Sequence, residues 1–251
     1  MDIVIGAPIS RQASYLIDKF LSNQKDIQRA YPSSQLVLAT SEHDFIPDLE
    51  LRLDSSLRAK VIHYEVAKPD HARSRLWDIA GCREAIRRYT LSQTAAKYLL
   101  FLDADMVFDP SVVAVLRREI QGHDAVFSGY HLRDHGLGLA GNGCVMLNRS
   151  TLEKLEFRCY EFKNGEVIFE DNVLEMDLFR LRLRVKKGFF VPITHHMSPN
   201  ESRHTEPQPL GLARRLANWP PARYALIRAS IALHYNIPWK LKILLGRLAS
   251  A

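Results

Sequence analysis

Short β-branched runs alternate with longer stretches in which apolar residues recur every three or four positions. This alternation constrains the chain more than any other feature, because strands joined by crossover helices build a mainly parallel sheet with helices packed on it. Residues 2–6 (DIVIG), 35–40 (QLVLAT), 60–66 (KVIHYEV) and 97–102 (KYLLFL) read as the first four strands. Between them, Tyr15, Leu16, Phe20 and Leu21, and then Ala72, Leu76, Ile79 and Ile86, follow helical spacing. Residues 97–102 have the length and apolar content of a buried parallel strand, and Pro110 marks the start of the next helix. Residues 125–128, 144–147 and 185–191 read as later strands, the last of them after a helix around 172–183. The expectation is an α/β fold.

Hydrophobic residues make up 47% of the chain and charged residues 25%, which argues against intrinsic disorder, and no apolar run approaches the length needed to span a bilayer. The opening MDIVIGAPIS is not a basic leader followed by a long apolar segment, so a cytoplasmic protein is expected. Cys82, Cys144 and Cys159 form no CxxC and suggest neither a disulfide framework nor a thiolate metal cage.

The formal charge of +6 belongs to one end. Beyond Glu206 there is no acidic residue, while Arg214, Arg215, Arg223, Arg228, Lys240, Lys242 and Arg247 all lie there. The rest of the chain is close to neutral, which speaks against nucleic acid as the partner. Residues 198–210 (SPNESRHTEPQPL), with three prolines, read as a linker or surface loop between a body at 1–197 and a basic amphipathic helical tail at 211–251. In the tail, Trp219, Tyr224, Tyr235 and Trp239 stand among aliphatic and basic residues. That pattern suits a helix pair lying on an anionic membrane, a tail packed on the body, or a dimer contact.

The chemistry concentrates after the fourth strand, in Leu102-Asp103-Ala104-Asp105-Met106. The carboxyl edge of an open α/β sheet is where ligands bind, and two carboxylates two residues apart on extended backbone project to one side. A divalent ion shared with a diphosphate would relieve their repulsion; a pair of solvated loop aspartates is the plain alternative. Glu170 and Asp171 stand where acids also serve as ordinary caps of a following helix. Gly141 and Gly143 would let backbone approach a ligand closely or simply form a turn, and Gly136 and Gly138 suggest a mobile loop.

Taken together and in order, Gly6-Ala7-Pro8, His71-Ala72-Arg73-Ser74-Arg75, the 102–106 segment, Gly141-Asn142-Gly143, Phe169-Glu170-Asp171 and His195-His196 resemble the GT-A type glycosyltransferases, in particular glycosyltransferase family 2. The resemblance spans about residues 1–197, with Ser74 standing where many relatives have Asn. It implies a Rossmann-like nucleotide-diphospho-sugar transferase fold and transfer of a sugar from a UDP- or GDP-linked donor to a hydroxyl, with inversion. The implied cofactor is Mn²⁺ or Mg²⁺ held by Asp103, Asp105 and one of His195 and His196. Asp171 is the implied general base, with Glu170 as its alternative or partner. Pro8, Arg11, Glu42, Arg73, Asp103, Ala104 and Asp105 would line the donor, and a helix beginning near His71 would turn its N-terminus to that edge. The implied acceptor is a glycan or a lipid-linked molecule, the latter fitting peripheral attachment to the inner membrane face. Two rivals are a sugar-phosphate nucleotidyltransferase, which would want a glycine-rich basic loop where this chain has GAPISRQ, and a non-catalytic membrane-docking module.

Overall fold

The computed structural model describes residues 1–66, 68–133, 136–139, 141–162 and 167–236. In chain order the strands are β1 (Ile3–Pro8), β2 (Ser34–Thr40), β3 (Ala59–His63), β4 (Tyr98–Leu102), β5 (Met106–Phe108), β6 (Ala125–Ser128), β7 (Tyr130–Leu132), β8 (Gly136–Gly138), β9 (Cys144–Asn148), β10 (Tyr160–Glu161), β11 (Val167–Ile168), β12 (Val185–Gly188), β13 (Ile193–Ser198) and β14 (Glu201–Thr205). The helices are α1 (Ile17–Ala30), α2 (Ile46–Arg52), α3 (Leu76–Gln93), α4 (Val112–Glu119), α5 (Arg149–Leu152), α6 (Glu170–Arg180), α7 (Leu212–Ala217) and α8 (Pro220–Asn236).

The central sheet has seven strands in the order β12-β6-β9-β4-β1-β2-β3. All of its pairings are parallel except those of β9, which runs antiparallel to both β4 and β6. This mixed but mainly parallel α/β architecture is the expected one. Because successive side chains of a strand face opposite ways, the sheet feeds two cores. Ile3, Ile5, Leu36, Leu38, Leu100 and Leu102 pack with Ile17, Phe20 and Leu21 of α1 and with Val112 and Leu116 of α4. Val4, Val37, Leu99 and Phe101 pack with Cys82 and Ile86 of α3 and with Leu174 and Leu178 of α6. Helix α3 lies so close to β1 that a Cβ on Gly6 would come within 2.6 Å of the Ile86 side chain, so glycine is required there by space.

Several local expectations change. Helix α3 starts at Leu76, leaving His71 and Arg73 in the preceding loop. Residues 198–210 are not a bare linker, because β14 lies within them and pairs with β13, which pairs with β5 in a three-stranded sheet. Gly136 and Gly138 belong to an antiparallel pair, β7 with β8, in place of the expected loose loop. The described part of the tail packs on the body through α8: Tyr224 stacks on Phe179 at 4.7 Å, Arg223 bonds Glu175 at 2.6 Å, and Ile227 is buried. Trp239, Lys240, Lys242 and Arg247 lie outside the described residues.

Candidate active site

Strands β1, β2 and β4 run parallel and release the chain at one carboxyl edge, so Pro8, Glu42 and the 103–105 turn meet there by topology alone. Pro8 closes β1 opposite Ala39. The Arg11 backbone N–H donates to the Glu42 carboxylate at 3.1 Å, and its guanidinium reaches Asp44 at 2.8 Å and lies over the Phe45 ring. Arg73 does not join them. Its guanidinium curls back to donate to the Asp70 and Ala72 carbonyls, while the Arg73 and Ser74 N–H groups are held by the Glu161 carboxylate.

Residues 103–105 form a turn, with the Met106 N–H donating to the Asp103 carbonyl at 3.1 Å. Extended backbone was expected to aim both carboxylates at one cation; the turn instead gives each its own. Asp103 accepts from the Arg83 guanidinium at 2.7 Å, and Arg83 is almost wholly buried, over the Phe101 ring and 3.5 Å from Glu170. Asp105 accepts from Arg133 at 2.6 Å and faces His195 Nε2 at 3.3 Å. Ala104, between them, is buried. The start of β9 presses on this turn. Gly143 donates its N–H to the Tyr130 hydroxyl at 3.0 Å and its carbonyl accepts the Asp103 N–H at 3.1 Å. Asn142 beside it is 3% exposed, and neither polar atom of its side chain finds a partner among the described residues.

The two late histidines separate, since adjacent residues of a strand face opposite ways. His195 pairs with Met106 across β13 and β5, is buried, packs edge-on to Tyr130 and is fixed by the His131 carbonyl. Burial alone would lower the His195 pKa, but its bond to Asp105 outweighs this and raises it. Burial likewise pushes the Asp105 carboxyl up, and the bonds from His195 and Arg133 hold it below its usual range. His196 turns away, with Nε2 3.0 Å from Lys19 Nζ, and its pKa is lowered by burial and by that lysine.

A divalent ion at this edge would therefore find Asp105 and His195 side by side. The test of fit is Asp105 Oδ1, which is buried with no hydrogen-bond partner among the described residues, an orphaned acceptor of the kind a cation satisfies. Among the described residues no group of three His, Cys, Asp or Glu side chains converges on one point. Two protein ligands match an ion that takes its remaining ligands from diphosphate and water.

Glu170 and Asp171 open α6. The N-cap is Phe169, which makes no side-chain cap, and both acids sit in the first turn, where Asp171 bonds a free helix N–H. Glu170 is buried beside Arg83, and burial raises its pKa to about 7. Asp171 accepts from the Asn172 N–H at 2.6 Å, and burial raises its pKa as well. Arg83 thus links the acidic turn to the α6 acids, a role absent from the sequence reading. A signal was present: Arg83 falls in the Ile79–Ile86 stripe of α3, a charged residue at an apolar position. Arg133 and Tyr130 had no such signal, because strand pairing far from the acidic turn brings them in.

No known family's sequence profile matches the chain, and no curated protein matches it in sequence. Solved structures do resemble it. A 1–349 fragment of S. aureus TarS superposes with a TM-score of 0.56 at 12% identity, covering 96% of this chain and 77% of the fragment. The same fragment in complex with UDP-GlcNAc superposes with a TM-score of 0.54 at 12% identity, over 93% of this chain and 66% of that one. A 4-diphosphocytidyl-2C-methyl-D-erythritol synthase from Anaerococcus prevotii lies further off, with a TM-score of 0.44 at 12% identity, over 74% of this chain and 85% of that one. The TarS likenesses show that this chain has the GT-A type, mainly parallel α/β fold.

Proposed function

We propose that the protein is a nucleotide-sugar-dependent glycosyltransferase moving a sugar from a nucleoside-diphosphate donor to an acceptor hydroxyl with inversion. The observation that carries this reading is the convergence, in a GT-A type fold, of the 103–105 turn, His195 and the two α6 acids, with buried Arg83 joining the groups. Pro8, Arg11 and Glu42 line the nucleotide edge. The unpartnered amide of Asn142 offers one donor and one acceptor to the sugar hydroxyls. Asp171 accepts the proton of the acceptor hydroxyl, and its raised pKa makes it a better base than a solvated aspartate. Glu170, largely protonated below pH 7, steadies Arg83 against the acidic turn.

Mn²⁺ or Mg²⁺ belongs to this reading. Asp105 and His195 would hold it, and it would supply positive charge to the leaving diphosphate. Arg133 is the chain's own cation at Asp105. The UDP-GlcNAc complex of TarS makes a UDP-linked donor the first to try, with GDP-linked donors next. A glycan or lipid-linked acceptor, and a peripheral place on an anionic membrane at the cytoplasmic face, fit the tail. Leu212, Leu216, Trp219 and Leu226 are exposed there beside Arg214 and Arg215, and no described helix is long and apolar enough to cross a membrane.

The test is thermal unfolding of the full chain with UDP-, GDP-, CMP- and dTDP-linked sugars, with and without Mn²⁺ or Mg²⁺. A ligand bound only by the folded state raises the Tm. A metal-dependent rise with one nucleotide class is expected, abolished in Asp105→Ala. It should be retained in Asp171→Asn, in which transfer falls about 10²-fold or more. No rise with any donor removes the reading, and wild-type turnover by Asp171→Asn moves the base elsewhere.

A further inference from the structure

Away from the donor edge, α6, the edge strand β12 and the tail helix α8 enclose a cavity of about 640 Å³. Its walls are of two kinds. Leu178, Phe179, Leu183, Val185, Pro220 and Tyr224 are apolar. Arg180, Arg182, Lys187 and Arg223 are cationic, against a single carboxylate, Glu175, so the lining carries a formal +3. Glu175 is 6% exposed and already contacts both Lys187 and Arg223. Arg180 and Arg182, exposed at the end of α6, have no ion-pair partner among the described residues.

The neighbouring concavity shows that this imbalance is particular to one site. It holds Arg87, Arg88, Lys154, Arg158 and Arg180 against Glu84, Glu153, Glu156 and Asp177, and most of these charges neutralise one another directly. Attraction to the helix C-terminus accounts for cations at Arg180 and Arg182. Lys187, 12% exposed, lies over the Phe127 ring and is held by Glu175, but the same carboxylate also answers Arg223, so one anion serves two cations. Burial, and after it the neighbouring Arg223, lower the Lys187 pKa to about 7.

We infer that this cavity binds a phosphate-bearing amphiphile of the lipid-phosphate class, its anionic head among Arg180, Arg182, Lys187 and Arg223 and its chain against Leu178, Phe179, Leu183, Val185 and Tyr224. Guanidinium groups suit phosphate oxygens, and apolar walls continuous with them exclude a purely polar anion as the best fit. No nucleotide-edge or acidic-turn residue lines the cavity, although its Arg223 and Lys187 also act on Asp171, and Arg223 reaches Asn172 Oδ1 at 3.4 Å.

The test is calorimetric titration of the full chain, without nucleotide or metal, with dodecyl phosphate below its micellar concentration. Inorganic phosphate and neutral dodecyl maltoside are the comparison ligands. Saturable binding of dodecyl phosphate alone, with a negative heat-capacity change from apolar burial, is expected. The double variant Arg180→Ser/Arg182→Gly should bind it about tenfold more weakly. Both positions are exposed, and Arg182 has φ +55°, which glycine adopts freely, so the fold is spared. Lys187→Met, which keeps the volume and removes the charge, should weaken it likewise. Equal binding by wild type and both variants, or equal binding of either comparison ligand, overturns the proposal. A positive result here with no donor shift above would leave the cavity standing and remove only the transferase reading.

Discussion

Arg83 and Glu170 set the electrostatics of the acidic edge. Arg83 is buried between Asp103 and Glu170, so removing its charge would strand the Asp103 carboxylate and leave Glu170 without its partner. Glu170 carries a pH dependence whose sign is fixed. Burial raises its pKa from 4.5 to about 7 in the folded chain. Below pH 4.5 it is protonated in both states and its contribution to stability is fully present. As pH rises, the unfolded chain ionises first, and the contribution is lost by the time pH passes about 7. A shift of this size corresponds to on the order of 3 kcal/mol. Glu170→Gln is neutral throughout, so wild-type Tm should fall between pH 5 and pH 8 by several degrees relative to that variant. Parallel Tm curves for the two proteins would show that Glu170 titrates normally.

Among the elements, the junction of β4, β9 and β7 decides how the acidic turn is held. Strand β9 enters antiparallel beside β4, and Gly143 passes so close to the turn that a Cβ would lie 2.7 Å from Asp103 Oδ2 and 2.6 Å from the Tyr130 hydroxyl. Real Cβ atoms do not approach so closely, so Gly143→Ala must push aside the Asp103 carboxylate and the Tyr130 hydroxyl, at about 1–3 kcal/mol for overpacking. Its donor-induced Tm rise should be lost. Gly122→Ala is the control: φ is +75° there with open space around it, so it costs about 1 kcal/mol and should leave donor binding intact. Equal donor response in wild type and Gly143→Ala would show that the close approach has no bearing on the site.

Across the whole molecule, the tail is divided between packing and exposure. Helix α8 is anchored to α6 by Arg223 and Tyr224, whereas α7 presents Leu212 and Leu216, with Trp219 following, to solvent beside Arg214 and Arg215. Deleting the tail would uncover the buried Glu175, so surface substitutions are the cleaner probe. The triple variant Leu212→Ser/Leu216→Ser/Trp219→Ser should keep its Tm within a degree or two. It should bind phosphatidylglycerol vesicles about tenfold more weakly or worse in a sedimentation assay. Salt should weaken the wild-type interaction, and unchanged vesicle binding by the variant would remove the membrane role.

By itself the sequence determined the alternation of strands and helices, the apolar strand that ends in the acidic turn, and the acids opening α6, because these are local patterns of period two, period 3.6 and chain order. It also marked the late histidines as a pair. Only the tertiary structure decided between them: alternation along β13, once its register with β5 is set, faces His195 to Asp105 and turns His196 to Lys19. The same holds for the cations. Arg83 reaches Asp103 across 20 residues and Arg133 reaches Asp105 across 28; the stripe of α3 marks Arg83 as facing the core, but only packing on the sheet brings either cation to its carboxylate. Arg73, by contrast, matched a motif and yet stays outside, because Glu161 holds its backbone and its own loop carbonyls hold its guanidinium. Which charges face one another is a property of packing, since a charge is neutralised by whatever lies within a few ångströms, however distant along the chain.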